Sequence, residues 1–285
     1  MTSGSPVMRP APTGATRVVG VIGHPVRHSL SPVLHNAAFA EAGLDWTYVA
    51  FPVEPGQGAA AVDAVRALSI EGLSVTMPHK TDVAGALDEL TAHASLLGSV
   101  NTVTRKGDLL VGDSTDGYGF LAGLADAGFD PRGRTCAVLG AGGAGRAVVL
   151  ALAQAGASNV LVVNRSRERA EQAVSLAPGV AVHATAAMVS GADLVVNATP
   201  MGMGQSAGVP LDPSLLSSAQ FVNDLIYHPF DTELLADARA RGATTLNGLP
   251  MLVHQAARQF TLWTGVEAPV EAMRAAVTVE LAARA

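Results

Sequence analysis

Lys80, Asp116 and a glycine loop at 140–145 are the residues whose types and positions bear most directly on chemistry. Lys80 closes Thr76-Met77-Pro78-His79-Lys80, just past an apolar run, Gly72 to Thr76, that reads as a strand. Open α/β sheets bind ligands at this end of their strands. Asp116 lies in Gly112-Asp113-Ser114-Thr115-Asp116-Gly117, past a predicted hairpin of Ser99 to Thr104 and Leu109 to Val111. Both residues follow strands or hairpins that point the same way. A Lys–Asp pair can shuttle the proton that accompanies hydride transfer between a carbinol and a nicotinamide. Spacing alone leaves open that Lys80 is a surface cation at a helix start. Two hydroxyls, Ser29 and Ser31, stand two residues apart in the loop after the first predicted strand, Arg17 to Gly23, and Ser31-Pro32 reads as an N-cap and first helical residue.

The hydride carrier has its own signature. Gly140-Ala141-Gly142-Gly143-Ala144-Gly145 joins an apolar strand, Thr135 to Leu139, to a helix containing Ala147 to Ala153. Gly140, Gly142 and Gly145 give the G-x-G-x-x-G spacing of a dinucleotide-binding turn, in the strand–turn–helix context that gives it meaning. The first glycine serves the turn, the second the approach of a pyrophosphate, and the third the packing of helix on strand. The next strand, Asn159 to Val163, ends in Asn164-Arg165-Ser166 with Arg169 one turn beyond. NAD-binding folds usually place a carboxylate on the ribose here. Two guanidiniums and a hydroxyl suit a 2′-phosphate instead. As solvated helix charges the arginines would select nothing; their place at the strand tip favours NADP.

These residues require a frame of alternating strands and helices. Before the glycine loop the pattern gives Arg17–Gly23, a helix to Gly43, strand Trp46–Val53, helix Ala59–Leu68, strand Gly72–Thr76 and a helix over Asp88–Leu97. That alternation predicts a parallel sheet. After it, strands near Val180, Asp193–Thr199, Phe221–Ile226 and Thr244–Leu246 continue the pattern, with a helix Thr232–Arg241 between the last two. The apolar-faced helices Met251–Trp263 and Val270–Ala283 have no sheet left to follow, so they are expected to pack back on the first domain. The expected class is α/β: an N-terminal open α/β substrate domain, 17–116 and 249–285, and a Rossmann-type NADP-binding domain, 117–248. Residues 1–16 read as a disordered tail.

Composition excludes several functions. The 285-residue chain carries a net charge of −6, without the basic face a nucleic-acid partner requires. No apolar run approaches the roughly 18 residues of a membrane span, and Met1 to Ala15 lacks the apolar core of a signal peptide. The one cysteine, Cys136, falls in a predicted strand as packing. The histidines lack metal-ligand spacing, so no metal is expected. A cytosolic protein acting on small molecules fits these limits, as monomer or homodimer.

The chain carries, in order, Gly-His-Pro-Val-Arg-His-Ser-Leu-Ser-Pro, Val75 to Lys80, Val100-Asn101-Thr102, Thr115-Asp116-Gly117, the glycine loop, Asn164-Arg165-Ser166 with Arg169, Asp224-Leu225-Ile226-Tyr227, and Gly248 to Gln255. With these motifs it resembles the shikimate dehydrogenase family from about Val18 to Gly265. The resemblance implies NADP-dependent, reversible reduction of 3-dehydroshikimate to shikimate in aromatic amino-acid biosynthesis. It implies that Ser29, Ser31 and Tyr227 bind the substrate carboxylate, that Thr76, Asn101, Asp116 and Gln255 hold ring hydroxyls, and that Lys80 is the acid–base group. Gly248 joins the glycine loop on the cofactor side. Ser74 and Ser114 stand where the family often has Asn, and are read as packing changes; His28 reads as a loop histidine. Quinate or aminoshikimate dehydrogenases are the alternatives. A regulator that binds NADP(H) without chemistry would have lost the acid–base pair or added a DNA-binding segment.

Overall fold

The computed structural model describes residues 11–204, 206 and 208–284. Most of the expected tail, residues 1–10, lies outside them. Its end is ordered rather than disordered: the Thr13 amide donates to Thr16 Oγ1 at 2.8 Å, and Thr16 Oγ1 donates to Asp45 at 2.7 Å. The chain divides into two compact units, one ending at Thr115 and resuming at Ala256, the other running from Asp116 to Gln255.

The first unit begins β1 (Arg17–Gly23), α1 (Ser31–Glu41), β2 (Trp46–Pro52), α2 (Gly58–Ala67), β3 (Gly72–Val75), α3 (Lys80–Ala84), β4 (Glu89–Leu90), α4 (Ala92–Leu97), β5 (Thr102–Lys106) and β6 (Leu109–Asp113). Its sheet runs β2-β1-β3-β5-β6-β4. The first three strands are parallel, as expected, but β5 is antiparallel to both β3 and β6, so the whole sheet is mixed. The helix expected over Asp88–Leu97 is another correction. Asp88 accepts from the Leu110 amide at 2.7 Å, β4 joins the sheet edge, and only then does Thr91 cap α4 by accepting from the Ala94 amide. Long-range pairing to β6 here outweighs helix propensity.

The second unit comprises α5 (Asp116–Asp126), β7 (Thr135–Leu139), α6 (Gly143–Gln154), β8 (Asn159–Val163), α7 (Arg167–Val174), β9 (Ala181–His183), β10 (Leu194–Asn197), β11 (Phe221–Asp224), α8 (Glu233–Ala240) and β12 (Thr244–Leu246). All six strands are parallel, in the order β12-β11-β10-β7-β8-β9. This is the doubly wound dinucleotide order, with its switch point between β7 and β10. Val138, Val162 and Val196 pack against α6 on one face, while Leu161, Val195 and Val222 pack on the other. Burial on both faces explains why these strands read as continuous apolar runs. Cys136 lies fully inside, and burial pushes its thiol up to about 12.

The chain returns through α9 (Leu249–Thr264) and α10 (Val270–Arg284). The division between units falls inside α9, at Gln255/Ala256, rather than between 248 and 249. Contrary to expectation, the first half of α9 packs on the second unit, where Met251 and Gln255 lie close against Gly119 of α5; only its second half and α10 pack on the first unit. Phe260 lies 5.3 Å from Phe39 between ring centroids, the Trp263 indole donates to the Val103 carbonyl at 2.9 Å, and α10 lies along α1. The indole comes so close to β3 that a β-carbon at Gly72 would overlap its nitrogen and stand 2.7 Å from the Val103 oxygen. Gly72→Ala should therefore lower stability by about 1–3 kcal/mol, the usual range for overpacking. A urea midpoint equal to wild type would mean that α9 is not held by this contact.

Candidate active site

Four segments converge at one end of the first sheet. The carboxyl ends of β1 and β3 lie side by side, and the His24 amide donates to the Met77 carbonyl at 3.0 Å. Because β5 runs antiparallel, its start lies at the same end: the Val75 amide donates to the Asn101 carbonyl at 2.7 Å. The end of β6 arrives there too, with the Asn101 amide donating to the Asp113 carbonyl at 3.0 Å. This groups the segments carrying Ser29, Ser31, Thr76, Lys80 and Asn101. Ser29 and Thr76 are half-buried, and Ser31 and Asn101 buried.

Local hydrogen bonds fix these segments. Ser31 is the first residue of α1, not its cap: the cap position is Leu30, and it is Ser29 Oγ that accepts from the Ser31 amide at 3.2 Å. Lys80 opens α3 and is half-buried, and its carbonyl accepts from the Val100 amide at 3.0 Å. His79 before it is buried, with Nε2 2.8 Å from the Val53 carbonyl. Asn101 Oδ1 accepts from the Thr115 amide at 2.8 Å. Thr115 therefore anchors the chain immediately before Asp116, the buried first residue of α5. Asp116 itself belongs to the second unit, as do Tyr227, Gln255 and Gly248.

Beneath Asn101 lies a polar layer that the motifs do not reveal. Tyr48, Ser74, Thr102 and Gln259 are all buried and joined by hydrogen bonds. Ser74 is thus a node in a network, not the packing change expected from the sequence. His35 is flat against Tyr48, with centroids 4.4 Å apart and planes 5° from parallel. Among the described residues neither of its ring nitrogens has a hydrogen-bond partner, and burial lowers its pKa to about 3, an effect that nearby Gln259 only partly offsets. His35 is therefore a neutral aromatic plate. Since the unfolded chain protonates it near 6.5 and the native state only near 3, this residue's contribution to stability holds above about pH 6.5 and declines as pH falls toward 3. The slope would be at most about 1.4 kcal/mol per pH unit. His35→Phe should keep the stack and flatten this part of the acid limb in urea titrations; parallel wild-type and variant limbs would contradict the assignment.

In the second unit the glycine loop has the geometry its spacing predicts. Gly140 follows β7 with φ 103°, which side chains rarely adopt. A β-carbon at Gly145 would overlap the Gly140 carbonyl oxygen, so α6 packs onto the turn. Gly142 and Gly143 are exposed, and a β-carbon at 142 would meet nothing. Ala141 is buried and Ala144 half-buried within the same loop. Backbone N–H groups at the start of the 12-residue α6 are suited to hold phosphates. Asn164 secures the loop, accepting from the Ala141 amide at 3.2 Å and donating to the Ser166 carbonyl at 2.8 Å. Ser166 caps α7 by accepting from the Arg169 amide. Arg165 and Arg169 are exposed, and among the described residues their guanidiniums have no partner, whereas Arg167 is paired with Glu171 at 2.7 Å. These groups fit a cofactor phosphate.

Asp224, at the end of β11, accepts from Asn197, Thr232 and the Ile226 amide, which holds the chain leading to half-buried Tyr227. Burial raises its pKa, and these donors oppose the rise. A β-carbon at Gly248 would overlap the Leu225 carbonyl, so Gly248 serves close packing beside the same segment. Gln255 is half-buried on α9 and donates to the Leu252 carbonyl at 3.0 Å.

A doubly wound sheet with a phosphate-type glycine turn, joined to a mixed sheet whose lysine-, serine- and asparagine-bearing segments meet at one end, has the architecture of a two-domain dinucleotide-dependent dehydrogenase. Comparison with known proteins resolves it further. Family models match at residues 21–103 (shikimate dehydrogenase substrate binding domain), 124–202 (shikimate / quinate 5-dehydrogenase) and 248–278 (shikimate 5′-dehydrogenase C-terminal domain). The chain is 47% identical over 281 residues to the shikimate dehydrogenase (NADP(+)) of Geobacter metallireducens, covering 94% of this chain and 98% of that one. The shikimate 5-dehydrogenase of Thermus thermophilus, solved with NADP(H) and shikimate, superposes with a TM-score of 0.87 at 36% identity, covering 93% and 99% of the two chains. A quinate dehydrogenase from Corynebacterium glutamicum, solved with NAD, gives a TM-score of 0.86 at 33% identity, covering 93% and 99%. The chain belongs to the shikimate dehydrogenase family.

Proposed function

We propose that this protein catalyses the reversible, NADP-dependent interconversion of 3-dehydroshikimate and shikimate, the step its curated relatives are named for. The observation that carries the reading is its end-to-end likeness to those relatives, 47% identity over 281 residues in the case quoted. The segments that meet at one sheet end, and the arginines after β8, which have no partner among the described residues, support it. The glycine loop at the start of α6 and Arg165 and Arg169 would hold NADP+, which when bound would supply the hydride acceptor; the remaining roles fall to side chains of this protein. Lys80 is the acid–base group that takes the proton from the alcohol, with Asp116 as its partner. Ser29, Ser31 and Tyr227 bind the carboxylate, and Thr76, Asn101 and Gln255 the ring hydroxyls. Neutral hydroxyl donors suffice for a carboxylate when several converge. The reading places the enzyme in the cytoplasm.

Quinate with NAD is the competing reading, because a solved neighbour carries that name. Against it, position 164 is Asn and 165 is Arg, where an NAD-binding fold usually offers a carboxylate. Reduction of NADP+ and of NAD+ by shikimate, quinate and aminoshikimate tests the choice. Shikimate with NADP+ should give the highest kcat/KM; a higher value with quinate would reassign the substrate. Within the preferred reaction, Ser29→Ala and Ser31→Ala should each raise KM for shikimate by roughly tenfold to a hundredfold, the worth of a hydrogen bond to a charged group. The KM for NADP should stay near wild type. Loss of cofactor affinity instead would remove these serines from the carboxylate site.

A further inference from the structure

Gln259, which no motif singles out, lies one helical turn beyond Gln255 on α9, buried among aromatic and polar groups. Its amide orientation is set by chemistry. Nε2 reaches the Asn101 carbonyl at 3.2 Å and Thr102 Oγ1 at 2.9 Å, and a backbone carbonyl can only accept. Oε1 must therefore face Ser74, whose hydroxyl donates to it at 2.7 Å. Ser74 is free to donate because Tyr48 donates to Ser74 at 2.7 Å. Thr102, accepting from Gln259, donates its own hydroxyl hydrogen bond to Asn101 Oδ1 at 2.7 Å. Every link runs in one sense, from the Tyr48 phenol to the Asn101 amide oxygen.

We propose that Gln259 is a positioning residue for substrate, which acts through Thr102 to hold Asn101 with Oδ1 turned inward and Nδ2 presented as a donor. The inference rests on reading Asn101 as a ligand of the substrate ring. The Thr115 amide donates to the same Oδ1, so two donors from different segments fix one orientation. Nδ2 carries two hydrogens, and giving one to Thr115 Oγ1 at 3.0 Å strengthens that orientation. Asn101 is then a dedicated donor, and the ring hydroxyl it meets is held as an acceptor. That selects for the placement of the hydroxyl and of its proton as well. A methionine at 259 would leave Ser74 without its acceptor and free the Thr102 hydroxyl to rotate away from Asn101. Burial keeps such unsatisfied groups costly, so the layer has one satisfied arrangement.

The test is steady-state kinetics on Gln259→Met, Thr102→Val, Asn101→Ala and the Gln259→Met/Asn101→Ala double variant. Gln259→Met and Thr102→Val should each raise KM for shikimate about tenfold, as expected for one misaligned hydrogen bond to substrate. Their kcat should move less and KM for NADP not at all. Once Asn101 is alanine, Gln259→Met should add little, because the two act in series. Thr102→Val, a near-isosteric change, reads the same link should the methionine variant fold poorly. If Asn101→Ala raises KM but neither Gln259→Met nor Thr102→Val does, the positioning role is overturned and the ring-ligand reading survives. If Asn101→Ala leaves KM unchanged, that reading fails and takes the inference with it. Independent, multiplying effects of Gln259→Met and Asn101→Ala, or a parallel rise in KM for NADP, would likewise overturn it, since Gln259 would then act as general scaffolding.

Discussion

Lys80→Ala lowers kcat for shikimate oxidation by about 10² to 10⁴, the typical contribution of a positioned general acid–base group. Substrate affinity should change little, so kcat and kcat/KM fall together, the pattern of an interaction made chiefly in the transition state. The fold should tolerate the change. Lys80 contributes its carbonyl to the Val100 amide, a bond that alanine keeps, and alanine suits the first turn of α3. The loss is therefore chemical rather than structural, and an unchanged thermal midpoint accompanies it. Near-normal turnover in a folded variant would remove Lys80 from the mechanism.

The second large effect concerns the cofactor. The 2′-phosphate distinguishing NADP from NAD carries close to two negative charges, and Arg165 and Arg169 stand at the end of β8 with no intramolecular partner among the described residues. Arg165→Ala/Arg169→Ala should weaken NADP by about 2–4 kcal/mol, taking charge-assisted hydrogen bonds with an allowance for solvent screening. NAD binding should barely move. Adding Asn164→Asp would offer the NAD ribose an acceptor. It would also turn a carboxylate onto the Ser166 carbonyl, where the Asn164 amide now donates at 2.8 Å. The gain for NAD should therefore be smaller than ribose recognition alone would give. Equal loss of both cofactors in the double arginine variant would mean that the arginines support the loop rather than read the phosphate.

The legible parts of this molecule were those with local causes. A turn requiring φ near 103° at Gly140 and a helix lying on the Gly140 carbonyl leave glycines at fixed spacing. Strands buried on both faces leave unbroken apolar runs, as in Thr135–Leu139. The misread parts had distant causes. The segment 88–97 has helical composition, but Asp88 is bound to Leu110, 22 residues away, and the pairing with β6 decides its path. Ser31 precedes a proline and looks like a cap, yet the helix begins one residue earlier in register and Ser29 does the accepting. Ser74 and Gln259 are separated by 185 residues and meet only because α9 returns to β3. A buried serine in a strand and a glutamine on an apolar helix carry no local sign of that meeting. Tyr48 and His35 hide for the same reason, each in the apolar rhythm of its own element.

The most direct test of the central claim is kcat/KM for shikimate measured with NADP+ and with NAD+ on the full-length protein. Robust turnover is expected with NADP+ and at least about tenfold lower kcat/KM with NAD+, reflecting the lost phosphate contacts. Absence of shikimate oxidation with either cofactor, or a preference for NAD+, would contradict that claim.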